Sequence, residues 1–443
     1  MTQRREFLAR LAAAAIAAGL PAHGLADSDR GGTTAGRTGS TPLALPNTGL
    51  AGRVVVVGGG MAGASVAKFL RLWGGANVKV TIVERQPRYI SNILSNLVLT
   101  DTVTMASLQF EYATLKSAYG IEVVQGTALA ADPAGGRLTV ATATGPRNLD
   151  FDRLVVAPGI DFEYPAGLET PAARAAIVHA WQAGPETLTL RSQIRAMPAG
   201  GVFVMTVPAT PFRCPPGPYE RACVVADWLK RNRPGSKVIV LDANPAIAAE
   251  RGSFERAFGV THAGTIQHVP NAPVDFVDVA SKTVHTPMGA FRGDAVNVIP
   301  TNVGPSLLRD LGVANAPRGF AAVNVLDYQS TAAERIHVIG DASATTQPKA
   351  GHIGNQEGKV CADAILRAFG GGQPDPSPVT NSSCYSPITL STASWLSAVF
   401  AYDPLTKTMQ VVPGASGEAT SANSEHFKDM QVWFRTLMRD TFA

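Results

Sequence analysis

The run Arg53-Val54-Val55-Val56-Val57-Gly58-Gly59-Gly60-Met61-Ala62-Gly63 decides the fold. Consecutive valines suit a parallel strand buried on both faces, and here they run straight into glycines. Gly58 suits a tight turn, Gly60 lets the backbone approach a pyrophosphate, and Gly63 lets the next helix lie close on the strand. Met61 and Ala62 stand at the start of that helix, whose N-terminus offers amide donors and a positive dipole end. A helical stretch from Ala64 to Trp73 and a strand from Val78 to Val83 follow. Glu84 ends that strand 21 residues beyond Gly63, where such units hold a ribose hydroxyl. The run therefore predicts a βαβ dinucleotide unit. Alone it does not separate one dinucleotide from another.

Upstream, Arg4-Arg5-Glu6-Phe7-Leu8 precedes an Ala/Leu-rich run that is free of acids until Asp27 and ends in Gly24-Leu25-Ala26. This pattern reads as a twin-arginine export signal over residues 1–26, too short and small-sided for a membrane anchor. It predicts a periplasmic protein that folds around a prosthetic group before export. Residues 27–49, rich in Gly, Ser and Thr, read as a flexible leader. The whole chain has 443 residues, 45% of them apolar, and a formal charge of +4, which points to globular cores and away from nucleic acid. No later stretch reaches transmembrane length. The four cysteines, Cys214, Cys223, Cys361 and Cys384, have no metal-ligand spacing, and no Cys-x-x-Cys-His haem site is present, so any haem must sit on a partner.

Two later motifs narrow the first one. Leu154-Val155-Val156-Ala157-Pro158-Gly159 reads as a strand entering a turn, and Ile336-His337-Val338-Ile339-Gly340-Asp341-Ala342 as a strand leading to a Gly-Asp pair. With the first unit they resemble the glutathione-reductase-like flavoproteins, which have two dinucleotide-binding domains. The resemblance implies FAD, with Asp341 bonding its ribityl and phosphate part. It extends the cofactor set to Arg85, Ala128, Ala157, Gly159 and Gly340. Gly354-Asn355-Gln356-Glu357-Gly358 is expected to open a helix whose amides, at Gly354 and Asn355, face the flavin.

Residues 201–330 repeat the βαβ pattern, with strands Val202 to Val207 and Lys237 to Asp242 around a helix from Pro218 to Arg231. The first turn, however, is Pro208-Ala209-Thr210-Pro211-Phe212-Arg213-Cys214-Pro215-Pro216-Gly217-Pro218. Prolines stiffen this loop and remove amide donors, which argues against a reduced nicotinamide site. Cys214 lies beside Arg213 and just before a helix N-terminus, two features expected to lower a thiol pKa. Glu220, in the first turn of the helix, suits either capping or acid/base work. Cys223 and Cys361 fall on apolar helix faces and read as inert. Cys384, in the loop Asn381 to Tyr385, is a natural partner for Cys214, with the pairing left open by the sequence.

The stretch from Ala209 to Arg221, with Cys384-Tyr385-Ser386, resembles the flavoprotein subunit of flavocytochrome c sulfide dehydrogenase. The likeness extends from about Gly52 to Asp440-Thr441-Phe442 and includes His179-Ala180-Trp181 and the helix bearing Trp433. It implies a redox-active Cys214–Cys384 disulfide over the flavin, Glu220 beside it, Trp433 among the cofactor residues, and a c-type cytochrome partner. In covalently flavinylated members a cysteine follows the ribose-binding acid. Here the run is Tyr89-Ile90-Ser91-Asn92-Ile93-Leu94-Ser95-Asn96, and Asn92 cannot form a thioether, so FAD is expected to be non-covalent.

The expected architecture is α/β, with two Rossmann-like domains and a C-terminal interface domain. The FAD domain is expected to be discontinuous, at 50–165 and 300–375, with the second Rossmann-like domain, lacking an NAD site, at 166–299 and the C-terminal domain at 376–443. The expected activity is oxidation of sulfide to sulfur or polysulfide, with electrons leaving to the cytochrome. A sulfide:quinone oxidoreductase is the nearest alternative, since Phe427, Met430, Trp433, Phe434, Leu437 and Met438 form an amphipathic stripe of the kind that can dip into a membrane. An accessory electron-transfer or thiol-redox flavoprotein of a sulfur-oxidising system is another.

Overall fold

The computed structural model describes residues 43–443. The export signal and most of the leader lie outside these residues. The end of the leader is tied down: the Leu43 amide donates to the Ala118 carbonyl at 3.1 Å and the Thr48 hydroxyl to the Gly74 carbonyl at 2.6 Å. Residues 43–49 thus depart from the flexible segment expected there.

The first unit is β1 (Gly52–Val57), α1 (Met61–Gly74), β2 (Val78–Glu84), β3 (Glu122–Gln125) and β4 (Arg153–Val156). Next come β5 (Val202–Val207), α2 (Gly217–Asn232), β6 (Lys237–Asp242), β7 (Ile266–Val269) and β8 (Ala295–Asn297). They form a second parallel sheet in the order β7-β6-β5-β8. The chain then returns as β9 (Ile336–Val338) to the edge of the first sheet, whose order is β9-β4-β1-β2-β3, all parallel. Two doubly wound sheets, one of them completed from a distant segment, are the α/β architecture expected of two dinucleotide-binding domains.

β1 is buried on both faces, as its valines require. Val54 and Val56 pack with α1, while Val55 and Val57 pack with Leu138, Val140, Leu149 and Phe151 under a three-stranded antiparallel sheet. α3 (Gly351–Phe369) crosses α1, and the chain ends in an antiparallel sheet containing β10 (Val379–Pro387) and β11 (Ala393–Asp403), followed by α4 (Ser424–Phe442). The α4 stripe is core: Phe427, Met430, Phe434, Leu437 and Met438 are buried with Leu70 of α1, and Trp433 packs half-buried against them. Among the described residues no helix is long and apolar enough to cross a membrane.

Candidate active site

Gly58 has φ +99°, and a Cβ there would collide with the Ala157 carbonyl; a Cβ on Gly63 would collide with the Gly58 carbonyl. Only glycine therefore allows strand, turn and helix to close up in this way. In front of Gly60 the space is open, since a Cβ would meet nothing nearer than the Tyr89 ring at 3.8 Å. No side chain caps the first amides of α1, and none caps those of α3. The two N-termini converge, for a Cβ on Gly351 would lie 3.3 Å from Met61 Cγ. Uncapped amides and two positive dipole ends at one place suit a phosphate-bearing ligand. Glu84 is fixed beside them, Oε2 accepting from the Gly59 amide at 2.7 Å and Oε1 from the Gln86 amide at 2.9 Å. Arg85 is exposed next to it, Ala62 and Ala157 are buried, Gly159 takes φ +80° at the end of the β4 turn, and Ala128 is half-buried opposite Val140.

Gly340 has φ +69°, and its amide donates to Glu357 Oε2 at 2.5 Å. The Asp341 and Ser343 carbonyls both accept from Lys349 Nζ at 2.8 Å, and the Lys349 carbonyl accepts from the Cys214 amide at 2.7 Å. The Gly-Asp pair is thereby linked to the cysteine loop. Burial pushes the Glu357 carboxyl up to about 8, and it raises the Asp341 carboxyl, which Arg213 and Lys349 hold back.

Two expected positions move. α3 begins at Gly351, because Ala350 is extended and serves as N-cap, so the Gly354 amide is already bonded to the Ala350 carbonyl at 2.9 Å. The free amides are therefore a turn earlier. Asn355 is fully buried, and its amide group donates to Ser65 Oγ, Asp440 Oδ2 and Thr441 Oγ1 at 2.8, 2.9 and 3.1 Å. Its side chain joins α3 to α1 and α4. Asn92 also has an internal partner, its Oδ1 accepting from the Ala183 amide at 2.8 Å. Trp433 lies 5.6 Å from the Tyr385 ring and 6.2 Å from His352, with its indole N–H buried and unpartnered.

Across the site, the proline loop is held by its carbonyls. Arg318 donates to those of Ala209, Thr210 and Pro211 at 3.2, 3.0 and 3.0 Å, and Arg213 donates to that of Trp181. Cys214 takes φ +57°, a left-handed conformation. Cys384 is on a strand, β10, and not in a loop; its Cα pairs with that of Leu396. Both are free thiols here. The expected low Cys214 pKa is not found. Burial pushes this thiol well above the usual range, the nearby Glu220 and Cys384 add to the rise, and Arg213 opposes it too weakly. Burial, then Glu250, push Cys384 up to about 12. Cys223 and Cys361 are wholly buried.

Glu220 does not cap α2. Its Oε1 accepts from Asn96 Nδ2 at 2.9 Å, and the same nitrogen donates to the Gly217 carbonyl at 3.0 Å. Burial pushes this carboxyl up to about 8; Asn96 and Arg221 hold it back while Glu250 adds to the rise. Arg221, 1% exposed, donates to Asn96 Oδ1, Asn297 Oδ1 and the carbonyls of His179 and Ala180 at 2.9, 2.7, 2.9 and 2.6 Å, and lies over the Trp181 ring at 4.9 Å. Asn96, Arg221, Lys349 and Glu357 were not singled out by sequence. Glu357 had a legible signal, since it shares a helix face with Gly354.

Residues 187–300 match the central domain of the flavoprotein chain of sulfide dehydrogenase [flavocytochrome c], and residues 376–442 the flavin-binding domain of flavocytochrome c sulphide dehydrogenase. Two separate segments of this chain are thus similar to domains of that flavoprotein. Residues 52–182 match the pyridine nucleotide-disulphide oxidoreductases. The fold is similar to that of the sulfide:quinone oxidoreductase of the hyperthermophilic bacterium Aquifex aeolicus, at 18% identity and TM-score 0.71 over 89% of this chain and 93% of that one. It is also similar to an NAD-dependent persulfide reductase from A. fulgidus, at 16% identity and TM-score 0.59 over 88% and 77%. FAD is the cofactor these families bring, and the uncapped helix ends, open Gly60 face, Glu84 and the unpartnered Trp433 indole fit it. The chain is thus an FAD-dependent oxidoreductase of the sulfur-compound class.

Proposed function

We propose that the chain is the flavoprotein of a periplasmic sulfide dehydrogenase, oxidising sulfide to sulfur or polysulfide through a Cys214–Cys384 disulfide and delivering electrons to a c-type cytochrome subunit. The observation that carries this reading is that Cys214 and Cys384, on elements far apart in sequence, lie within electrostatic reach of each other and of Glu220. The flavocytochrome family supports the cytochrome acceptor, and the twin-arginine pattern supports export.

In the oxidised protein, the hydrosulfide sulfur bonds to one cysteine as the Cys214–Cys384 bond breaks, and the electron pair of that bond goes to the other cysteine. Glu220, held near neutrality by burial, takes the sulfide proton. Arg221 and Asn96 keep its carboxyl in place. FAD, non-covalently bound, supplies an acceptor that takes an electron pair and passes electrons on. The second sheet has its own use for the acid where a nicotinamide ribose would bind. Asp242 accepts from Tyr219 Oη at 2.8 Å and pairs with His268 Nε2 at 2.9 Å, while the Asn244 side chain donates to it at 2.8 Å. This supports sulfide, not NAD(P)H, as the electron source.

Anaerobic titration with sulfide tests the reading. Flavin bleaching followed by cytochrome c reduction is expected, and no bleaching would overturn it. Reduction of decylubiquinone but not of cytochrome c would replace the acceptor by a quinone. The packing of the α4 stripe in the core counts against that outcome.

A further inference from the structure

The cysteine pair has a second buried carboxyl group near it. Glu250 caps a short helix, Arg251–Arg256, in a left-handed conformation with φ +49°, and is 3% exposed. Its Oε1 accepts from Ser386 Oγ at 2.6 Å, and its Oε2 is buried with no hydrogen-bond partner. Ser386 is two residues beyond Cys384 on β10, so the two side chains share a face of the sheet. The nearest cations in sequence are engaged elsewhere: Arg251 Nε pairs with Glu255 at 2.6 Å, and Arg256 donates to the Thr420 carbonyl. A buried carboxyl whose donors are neutral hydroxyls and that has no counter-charge favours keeping its proton.

We propose that Glu250 holds and supplies the proton of Cys384, as Glu220 manages that of the sulfide. The proposal rests on the disulfide chemistry above. When hydrosulfide bonds to Cys214, the Cys214–Cys384 bond breaks, its electron pair goes to Cys384 Sγ, and that sulfur takes the Glu250 proton. The products are a Cys214 persulfide, a Cys384 thiol and a Glu250 carboxylate. Burial pushes the Glu250 carboxyl up to about 7, Ser386 and Ser394 hold it back, and Glu418 adds to the rise. The other ionisable groups that feel it are Glu220 and Cys223 on α2 and Cys384 on β10.

Glu250→Gln tests this in the FAD-loaded protein with two readouts. In the thiol-reduced protein, alkylation of Cys384, followed by mass spectrometry against pH, is expected to begin at lower pH. A displacement of one pH unit gives about a tenfold faster rate at fixed alkaline pH. The pH profile of sulfide-driven flavin bleaching is expected to lose an ionisation near neutrality. An unchanged Cys384 alkylation profile overturns the proposal, whatever the sulfide assay shows. If the wild type is alkylated as expected but not bleached by sulfide, the sulfide reading fails and the proton link is judged by alkylation alone. Ser386→Ala provides a second variant. Losing the hydroxyl donor raises Glu250, so the near-neutral limb moves to higher pH, and an unmoved limb overturns the assignment.

Discussion

Asn96 Nδ2 donates to Glu220 Oε1 at 2.9 Å, joining the segment after the first βαβ unit to the first turn of α2. Its Oδ1 accepts from Arg221 Nε at 2.9 Å, so one amide orients both the buried acid and the buried base. Asn96→Leu is expected to leave a buried carboxyl and a guanidinium short of partners, at a cost of about 2–3 kcal/mol measured by urea unfolding. The Glu220 carboxyl, already raised to about 8, then rises further, and the rate limb it sets moves to higher pH.

Stability should fall as pH rises. Glu220 and Glu357 titrate near 8 in the folded chain, against an ordinary value of 4.5. Between those values the native state holds protons that the unfolded chain has released, so the stability present below about pH 4.5 is lost progressively toward pH 8. Glu220→Gln is expected to flatten that decline in thermal melts of the FAD-free protein. A decline as steep as in the wild type would contradict the burial of its carboxyl.

Cys214 is non-glycine at φ +57°. Cys214→Gly and Cys214→Ser should both abolish sulfide-driven bleaching. The glycine variant should be the more stable by about 1 kcal/mol, because it relieves the left-handed conformation that serine retains. Chemical denaturation of the two variants measures the difference.

Arg221→Met strands acceptors on Asn96, Asn297, His179 and Ala180. A loss of about 3 kcal/mol or more is expected in unfolding, with weaker FAD retention on gel filtration.

Phe442 stacks on Tyr89 at 5.0 Å and Phe110 at 5.7 Å, and Lys68 Nζ donates to the carbonyls of Arg439, Asp440 and Ala443. The C-terminus is thereby latched beside the glycine loop. Phe442→Ala should cost about 3 kcal/mol and speed FAD loss, followed by release of flavin fluorescence. In the wild type, acid denaturation should release all yellow colour from the polypeptide; colour retained by the chain would refute non-covalent binding.

The β1 glycine run, Glu84 and the Gly340-Asp341 pair were legible because a strand-turn-helix unit has a short, local grammar. The start of α3 was not. Gly354 and Gly358 look like an opening turn, but the helix begins where the backbone of Ala350 becomes extended, and both glycines instead bring α3 close to α1. Lys349 and Asn96 carry no periodic signal, since Lys349 reaches backbone carbonyls across a turn and the partners of Asn96 lie far away in sequence.

The sequence by itself determined the two parallel sheets and the glycine turn of the first unit, and it singled out Cys214, Cys384 and Glu220 as candidates. These follow from local pattern and from resemblance. The protonation of the site was decided only in three dimensions. Arg213 and a helix N-terminus argued for a low Cys214 pKa, yet burial and the approach of Glu220 and Cys384 push the thiol up. Desolvation depends on everything that closes over a group, and neighbouring charges act across space whatever their separation along the chain. For the same reason, Glu250 became visible as a partner of Cys384 only once the chain had folded.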